Sequence, residues 1–180
     1  MLTFNSNTML KSAIKPMPEY FDRYINMTDD VALLDAIQIS IDELNDFPLE
    51  RFKALGDKVY APGKWTVKDI LQHIIDTERI FSYRALAAAR GEIKTMPSYD
   101  EDEYAAFAGA NKRTIEDLIG ELKIVRQAFL AMYQSFTEEM LLRKCKGFKG
   151  EYSVLAIGFL IAGHQRWHVK VLEERYFTMD

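Results

Sequence analysis

The segment GFLIAGHQRWHVKVLEERY, residues 158–176, has the apolar spacing of a core α-helix and contains two of the three histidines in the chain. On a helical wheel, apolar residues such as Leu160, Ile161 and Leu172 gather on one side, and His164 and His168 lie in the middle of that arc. At a spacing of four residues, the two imidazoles project from one face, one turn apart. The segment therefore predicts a buried helix with two inward-facing histidines.

The third histidine, His73, falls in a second helical pattern, WTVKDILQHIIDTERIFSYRAL, residues 65–86. It lies at the border of the apolar stripe, in line with Thr77 and Arg84, where it can face a cleft shared with a neighbouring helix. One interpretation is that all three are core histidines with hydrogen-bond partners. However, two buried neutral imidazoles in one stripe each need partners for their polar nitrogens. Three imidazoles from two helices are enough to hold a catalytic-type metal ion with open positions, and we favour this interpretation.

The residues around the histidines exclude several kinds of metal site. Gln165 occupies the position at which a His-Glu-x-x-His zinc protease has its general base. The residues three positions before the histidines are Ile70, Ile161 and Gln165, so the Glu-x-x-His of ferritin-like di-iron sites does not occur. A structural zinc site is built on several cysteines, and Cys145 is the only cysteine in the sequence.

The whole chain has the pattern of an all-α protein. Apolar residues at helical spacing predict four long helices, over about residues 29–46, 66–90, 114–136 and 153–176. Thr28, Thr66 and Ser153 have the character of N-caps, and Asp69 makes a near capping box with Thr66. These features predict a four-helix bundle with long connecting loops, whose topology the loop lengths leave open.

The connections and the termini complete the predicted organisation. Residues 94–107 form an acidic connection with one helical turn, residues 137–144 a short helical turn, and residues 145–152 a glycine-bearing loop. The length fits one domain over residues 1–180, in which a polar N-terminal segment, 1–27, packs on or flanks the bundle.

Composition and charge narrow the function classes. The sequence is 48% hydrophobic and 28% charged, and its formal net charge of −4 gives no basic footprint for nucleic acid. No apolar run is long enough for a transmembrane helix, and the N-terminus lacks the features of a signal peptide. A lone cysteine fits a reducing compartment. We therefore expect a cytoplasmic protein that binds neither nucleic acid nor membrane.

Three stretches of the sequence resemble one known family. They are YAPGKWTVKDILQHIIDTERIFSYRAL at residues 60–86, GHQRWHVKVLEERY at 163–176 and, more weakly, PEYFDRYI at 18–25. In motif, order and helix placement the chain resembles the DinB/YfiT-like superfamily of metal-dependent enzymes, the DinB four-helix bundle family. The resemblance implies a homodimeric four-helix bundle with one divalent metal ion held by His73, His164 and His168. Zinc or nickel is the implied metal, with manganese or iron as further occupants.

The resemblance also implies a small-molecule substrate and two kinds of chemistry. Some relatives are transferases of a low-molecular-weight thiol such as bacillithiol or mycothiol, and others are maleylpyruvate isomerases that use mycothiol. A divalent ion on three neutral histidines acidifies a bound water for a hydrolase and a bound thiol for a thiol S-transferase. The three ligands alone do not separate these two hypotheses. The alternative from another class is a non-catalytic metal- or ligand-binding bundle with a stress-related role.

Two further side chains are candidates for a catalytic role. Glu78 lies toward the apolar stripe of its helix, where it either forms an inward salt bridge, with Arg166 or Arg175, or orients a histidine ligand. Arg84 is either solvated or paired, or it binds an anionic substrate or thiol cofactor. The lysines around Cys145 are expected to lower the pKa of its thiol, although a loop cysteine is weak evidence for a nucleophile.

Overall fold

The computed structural model describes residues 8–147 and 149–179, and four long helices dominate it. The α-helices and strands within these ranges are α1 Asp22–Ile25, α2 Leu33–Glu43, α3 Leu49–Leu55, α4 Val67–Ala89, α5 Glu101–Ala108, α6 Ile115–Gln134, α7 Glu138–Leu142, β1 Lys144–Gly147, β2 Gly150–Ser153 and α8 Val154–Val171, and short 3-10 helices cover Lys11–Ala13 and Ala110–Lys112. A π-helical turn, Leu172–Tyr176, extends α8. Helices α2, α4, α6 and α8 pack together, which confirms the predicted four-helix bundle.

Side-chain caps fix where three of the four long helices, α4, α6 and α8, begin. The Thr66 hydroxyl accepts the Asp69 N–H and the Asp69 carboxylate accepts the Thr66 N–H, so the predicted capping box at the start of α4 is confirmed. Ser153 caps α8 as predicted. The predicted N-cap at Thr28 is wrong, because α2 begins at Leu33 and the Thr28 hydroxyl instead donates to the carbonyl oxygen of Ile25 at the end of α1.

The N-terminal segment lies against the bundle through α1. A Cβ atom added at Gly163 of α8 would lie 1.8 Å from the Tyr24 carbonyl oxygen, so the backbones of α1 and α8 approach each other more closely than a side chain allows. This approach puts the ring of Tyr24 beside the histidines of α8. The first seven residues of the predicted N-terminal segment lie outside the described residues.

Three connections hold more structure than the sequence predicts. The glycine-bearing loop at 145–152 belongs to an antiparallel hairpin of β1 and β2, which pairs Cys145 with Tyr152 on its buried side. Helix α5 has two turns where one was predicted, and α3 lies between the first two predicted long helices, where the sequence predicts only a connecting loop. The Met96 N–H donates to the Lys146 carbonyl oxygen, so the connection after α4 is attached to the hairpin. Within the described residues, no helix combines the length and apolar character that crossing a lipid bilayer requires.

Candidate metal centre

The ring nitrogens of His73, His164 and His168 converge on one point between α4 and α8. The Nε2 atom of His164 lies 3.2 Å from that of His73 and 3.0 Å from that of His168. Each residue offers one ring nitrogen, and these atoms all lie within 4.8 Å of one another. The structure thus brings together the three histidines that the sequence analysis identified as candidate ligands. His73 and His164 are 91 residues apart along the chain and belong to two different helices.

Hydrogen bonding between the rings does not explain this arrangement. The Nε2 atom of His164 carries either one proton or one in-plane lone pair, so it makes one directed hydrogen bond, yet it faces two other ring nitrogens. Two nitrogens bound to one metal ion at ~2.0–2.1 Å lie ~3 Å apart, which matches the observed spacing. The donor set therefore fits a divalent metal ion held by three histidines.

Burial keeps these imidazoles neutral. It lowers the pKa of His73 to about 3, with the positive charge of His168 as a second cause, and it lowers the pKa of His168 to about 4. The pKa of His164 falls well below its usual value, first through burial and then through the charges of His168, His73 and Arg126. At neutral pH all three rings consequently offer lone pairs, as metal ligation requires.

Neighbouring side chains hold the rings of His73 and His164. The Nδ1 atom of His73 faces the Thr77 hydroxyl at 3.5 Å, and that hydroxyl lies 2.8 Å from the Tyr99 hydroxyl. The Trp65 ring packs on His73 at a centroid distance of 4.7 Å, and the edge of the Tyr24 ring meets His164 at 5.0 Å. Spacing could have found Thr77, four residues after His73, but no sequence signal pointed to Tyr99 in its connection.

A cavity of about 370 Å³ opens beside the three histidines. Most of its wall is aromatic, from Tyr20, Phe21, Tyr24, Trp65, Phe81, Tyr99 and Tyr152. The other polar side chains that line it are Thr77, Arg84, Ser98, Glu101 and Lys149. Burial raises the pKa of Tyr24 to about 12 and raises that of Tyr152, so both phenols stay protonated at neutral pH.

Glu78 does not orient a histidine. Its Oε1 atom accepts a hydrogen bond of 2.7 Å from Nε of Arg126, and both side chains are buried. The predicted inward salt bridge is confirmed, but its predicted partners, Arg166 and Arg175, are wrong. Burial raises the pKa of Glu78, and the Arg126 charge opposes that rise. Among the described residues, Oε2 of Glu78 and Nη2 of Arg126 have no hydrogen-bond partner.

The same arginine connects all four long helices. Its Nη1 atom donates to the Ser40 hydroxyl on α2 and to Oε1 of Gln165 on α8, while Glu78 belongs to α4 and Arg126 to α6. Gln165 also donates to the Ser40 carbonyl oxygen. This buried polar network holds α8 in place at Gln165, the residue next to His164. In the described part of the chain, Glu78 makes no hydrogen bond to the imidazoles and belongs to this network instead.

Arg84 lines the cavity, and its side chain is buried. Only 5% of the residue is exposed, its Nη2 atom donates to the Pro97 carbonyl oxygen at 2.7 Å, and its guanidinium lies 4.6 Å from the Phe81 ring centre. The sequence left open whether this arginine is solvated, paired or ligand-binding. The structure excludes the solvated alternative.

Cys145 is not an activated thiol. It is buried in the hairpin, and burial raises the pKa of its thiol. The predicted lowering by neighbouring lysines is therefore wrong, because those lysines point to the solvent-exposed face of β1 while the thiol points inward.

Comparisons with known proteins agree with this fold. A model of the DinB superfamily matches residues 20–172. A curated protein of Oceanobacillus iheyensis, named "Putative metal-dependent hydrolase", is 25% identical over 131 residues, which cover 72% of this chain and 71% of that protein. The solved structure of YfiT from Bacillus subtilis, described as a probable metal-dependent hydrolase with an unusual four-helix bundle topology, superposes with a TM-score of 0.66. At 16% identity over 88% of this chain and 87% of the other, that similarity shows the fold.

Proposed function

The chain belongs to the DinB superfamily, and we propose that it is a metal-dependent hydrolase with one divalent ion on His73, His164 and His168. The observation that carries this proposal is the convergence of three neutral ring nitrogens, from the buried His164 and the half-buried His73 and His168, at the wall of an open cavity. The name of the Oceanobacillus iheyensis relative supports it.

Three imidazole ligands suit a divalent metal ion of intermediate hardness. Imidazole nitrogens favour zinc, nickel and iron over magnesium and calcium, which prefer oxygen ligands. Zinc or nickel is the proposed ion, with manganese or iron as alternatives. When bound, such an ion lowers the pKa of a coordinated water or thiol toward neutrality.

The side chains around the histidines prepare the site for this chemistry. Trp65 and Tyr24 cover the rings of His73 and His164 and keep bulk water from their faces. The Thr77 hydroxyl faces Nδ1 of His73, which leaves the Nε2 lone pair pointing to the centre of the site. The aromatic wall accepts an apolar substrate body, and the protonated phenol of Tyr24 is available as a hydrogen-bond donor.

Thiol transfer is the second candidate, and one observation favours it. Glu78 is paired with Arg126, and Glu101 is an exposed residue at the start of α5. Among the described residues, no carboxylate is therefore hydrogen-bonded to the imidazoles in the position that a general base would take. A thiol that has already lost its proton needs no such base. A low-molecular-weight thiol is the co-substrate of this alternative.

Metal analysis and a substrate panel test the proposal. Untagged protein is expected to bind about one zinc or nickel ion per chain and then to turn over esters or amides, or to join a small thiol to an electrophile. His168→Ala is expected to lose both properties, whereas Lys170→Ala, on the exposed face of the same helix, retains them. Tight metal binding without turnover of any panel member would instead support a non-catalytic metal-binding bundle.

Other properties stay predictions from the sequence. They are the homodimer, the cytoplasmic location, and the lack of nucleic-acid and membrane partners. Sedimentation analysis of the full chain measures the first of these directly.

A further inference from the structure

Arg84 carries a buried positive charge that no carboxylate balances. It is 5% exposed, and among residues 8–147 and 149–179 no acidic side chain lies within ion-pairing distance of it. Glu101 lines the same cavity but is an exposed residue of α5 and makes no ion pair with Arg84. The other buried arginine, Arg126, has Glu78 as its partner.

The contacts of Arg84 leave most of its hydrogen-bonding capacity unused. The guanidinium has five N–H donors, and among the described residues it has one acceptor at ordinary hydrogen-bond length, the Pro97 carbonyl oxygen at 2.7 Å, with the Tyr152 hydroxyl as a nearby polar group. The rings of Phe81 and Tyr99, at 4.6 and 5.9 Å, stabilise the cation weakly. Buried charges are otherwise paired, because taking an ion out of water is costly. The position therefore suits an anion that arrives from outside.

A second orphaned polar group lies in the same cavity wall. Tyr152 is 3% exposed, and its hydroxyl makes no hydrogen bond of ordinary length in the described part of the chain, although the Cys145 thiol and the Arg84 guanidinium lie near it. Tyr152 and Arg84 both line the cavity that contains the three histidines. The hydroxyl stays protonated because burial raises its pKa. It can thus donate to an anion beside the guanidinium.

The position of Arg84 along α4 sets the length of the ligand. It follows His73 by 11 residues, a rise of ~16 Å between Cα atoms. The guanidinium folds back over Phe81, three residues earlier, toward the histidines. The charged group and the ring nitrogens are then on the order of 10 Å apart, and all of them line one cavity of about 370 Å³.

We propose that Arg84, with Tyr152, binds the carboxylate or phosphate of an elongated small-molecule substrate whose other end reaches the three histidines. The anion site itself stands on Arg84, Tyr152 and the cavity. The assignment of the opposite end to the reacting group rests on the proposed function.

Titration calorimetry on metal-free protein tests the anion site separately from the metal. The probes are phenylpropionate, its uncharged amide, and phenyl phosphate, all of which have an aromatic body for the aromatic wall. We expect an anion to bind at least about tenfold more tightly than the amide, as one charge-assisted contact provides. A preference between the carboxylate and the phosphate identifies the chemistry of the anionic group.

Two variants and a control identify the residues. Arg84→Gln is expected to lose the tenfold preference, and Tyr152→Phe to weaken anion binding severalfold. Arg90→Gln, an exposed arginine at the end of the same helix, is expected to change neither. Urea denaturation checks folding, and Arg84→Gln should keep the wild-type midpoint because it removes an unbalanced charge.

Defined results overturn the inference. It is wrong if Arg84→Gln binds the anions as tightly as the wild type, if the amide binds as tightly as the acid, or if Arg84→Gln unfolds at a clearly lower urea concentration, which would make Arg84 structural. Anion binding without metal-dependent turnover leaves the anion site in place and counts against the hydrolase proposal alone. Metal-dependent turnover in a protein that shows no preference for anions counts against the anion site and leaves the hydrolase proposal in place.

Discussion

Gly163→Ala is expected to destabilise the protein, because the new methyl group meets backbone that cannot move alone. Its Cβ would lie 1.8 Å from the carbonyl oxygen and 2.6 Å from the carbonyl carbon of Tyr24. An ordinary contact needs ~3.5 Å, so α1 must shift away from α8 by well over ~1 Å. The shift also moves the Tyr24 ring from its place against His164.

The expected magnitude follows from two opposing effects. Overpacking in a core costs about 1–3 kcal/mol, and the upper end applies here because the clash is with backbone. Replacing a mid-helix glycine by alanine returns ~1 kcal/mol of helix propensity. The net loss in the free energy of unfolding is therefore ~2 kcal/mol, or a fall of ~4–8 °C in Tm for a chain of this length.

Gly120→Ala is the matched control. Gly120 lies inside α6, and a Cβ there has no neighbour within 4 Å. The same substitution is then expected to raise the free energy of unfolding by ~1 kcal/mol. Urea denaturation of metal-free protein, followed by circular dichroism, measures both variants. If Gly163→Ala proves as stable as Gly120→Ala, the close approach of α1 to α8 is refuted.

Three further predictions concern the site. The pKa of histidine is ~6.5 in the unfolded chain, and the folded values are about 3 for His73 and about 4 for His168, so the unfolded chain takes up protons first as pH falls. The urea midpoint of metal-free protein should therefore drop as the pH falls from about 6.5 to about 4. A midpoint that does not change over this range would contradict the depressed histidine pKa values. Thr77→Val should weaken cobalt binding by about tenfold and alter the absorption spectrum of bound cobalt, because it removes the hydroxyl that faces His73. Thr77→Ser, which keeps a hydroxyl, should restore both properties. Equal cobalt affinities of the Val and Ser variants would show that the hydroxyl does not contribute to metal binding. Cys145 should react slowly with a thiol reagent in native protein and rapidly in urea, and fast native labelling would show that the thiol is not buried.

The fold could be predicted where the signals were long and local. Helix α4 has 23 residues of regular apolar spacing and the Thr66 capping box, both visible in the sequence. The hairpin was missed because each strand has four residues, too few for an alternation to be distinguished from a glycine-containing loop. Thr28 was wrongly predicted as the N-cap of α2 because a threonine hydroxyl can donate a hydrogen bond to a carbonyl at the end of one helix as readily as it can accept one at the start of the next.

In the candidate site, too, local features could be predicted from the sequence, whereas contacts between distant residues could not. The four-residue spacing of His164 and His168 is local, so periodicity alone directed both rings inward. The partner of Glu78 lies 48 residues away on α6 and depends on how two helices rotate against each other, which no sequence pattern specified. The burial of Arg84 likewise depends on a connection that covers it at Pro97 and is attached to the hairpin through Met96.

The ion pair of Glu78 and Arg126 also constrains how this sequence can change over time. Removing one partner strands the other charge in the core, at a cost of ~3–5 kcal/mol, whereas replacing both by apolar residues of similar volume is often neutral. The two positions are therefore expected to vary jointly among descendants of this sequence, each single step being selected against. A library that randomises Glu78 and Arg126 together should recover folded combinations that neither single-position library contains.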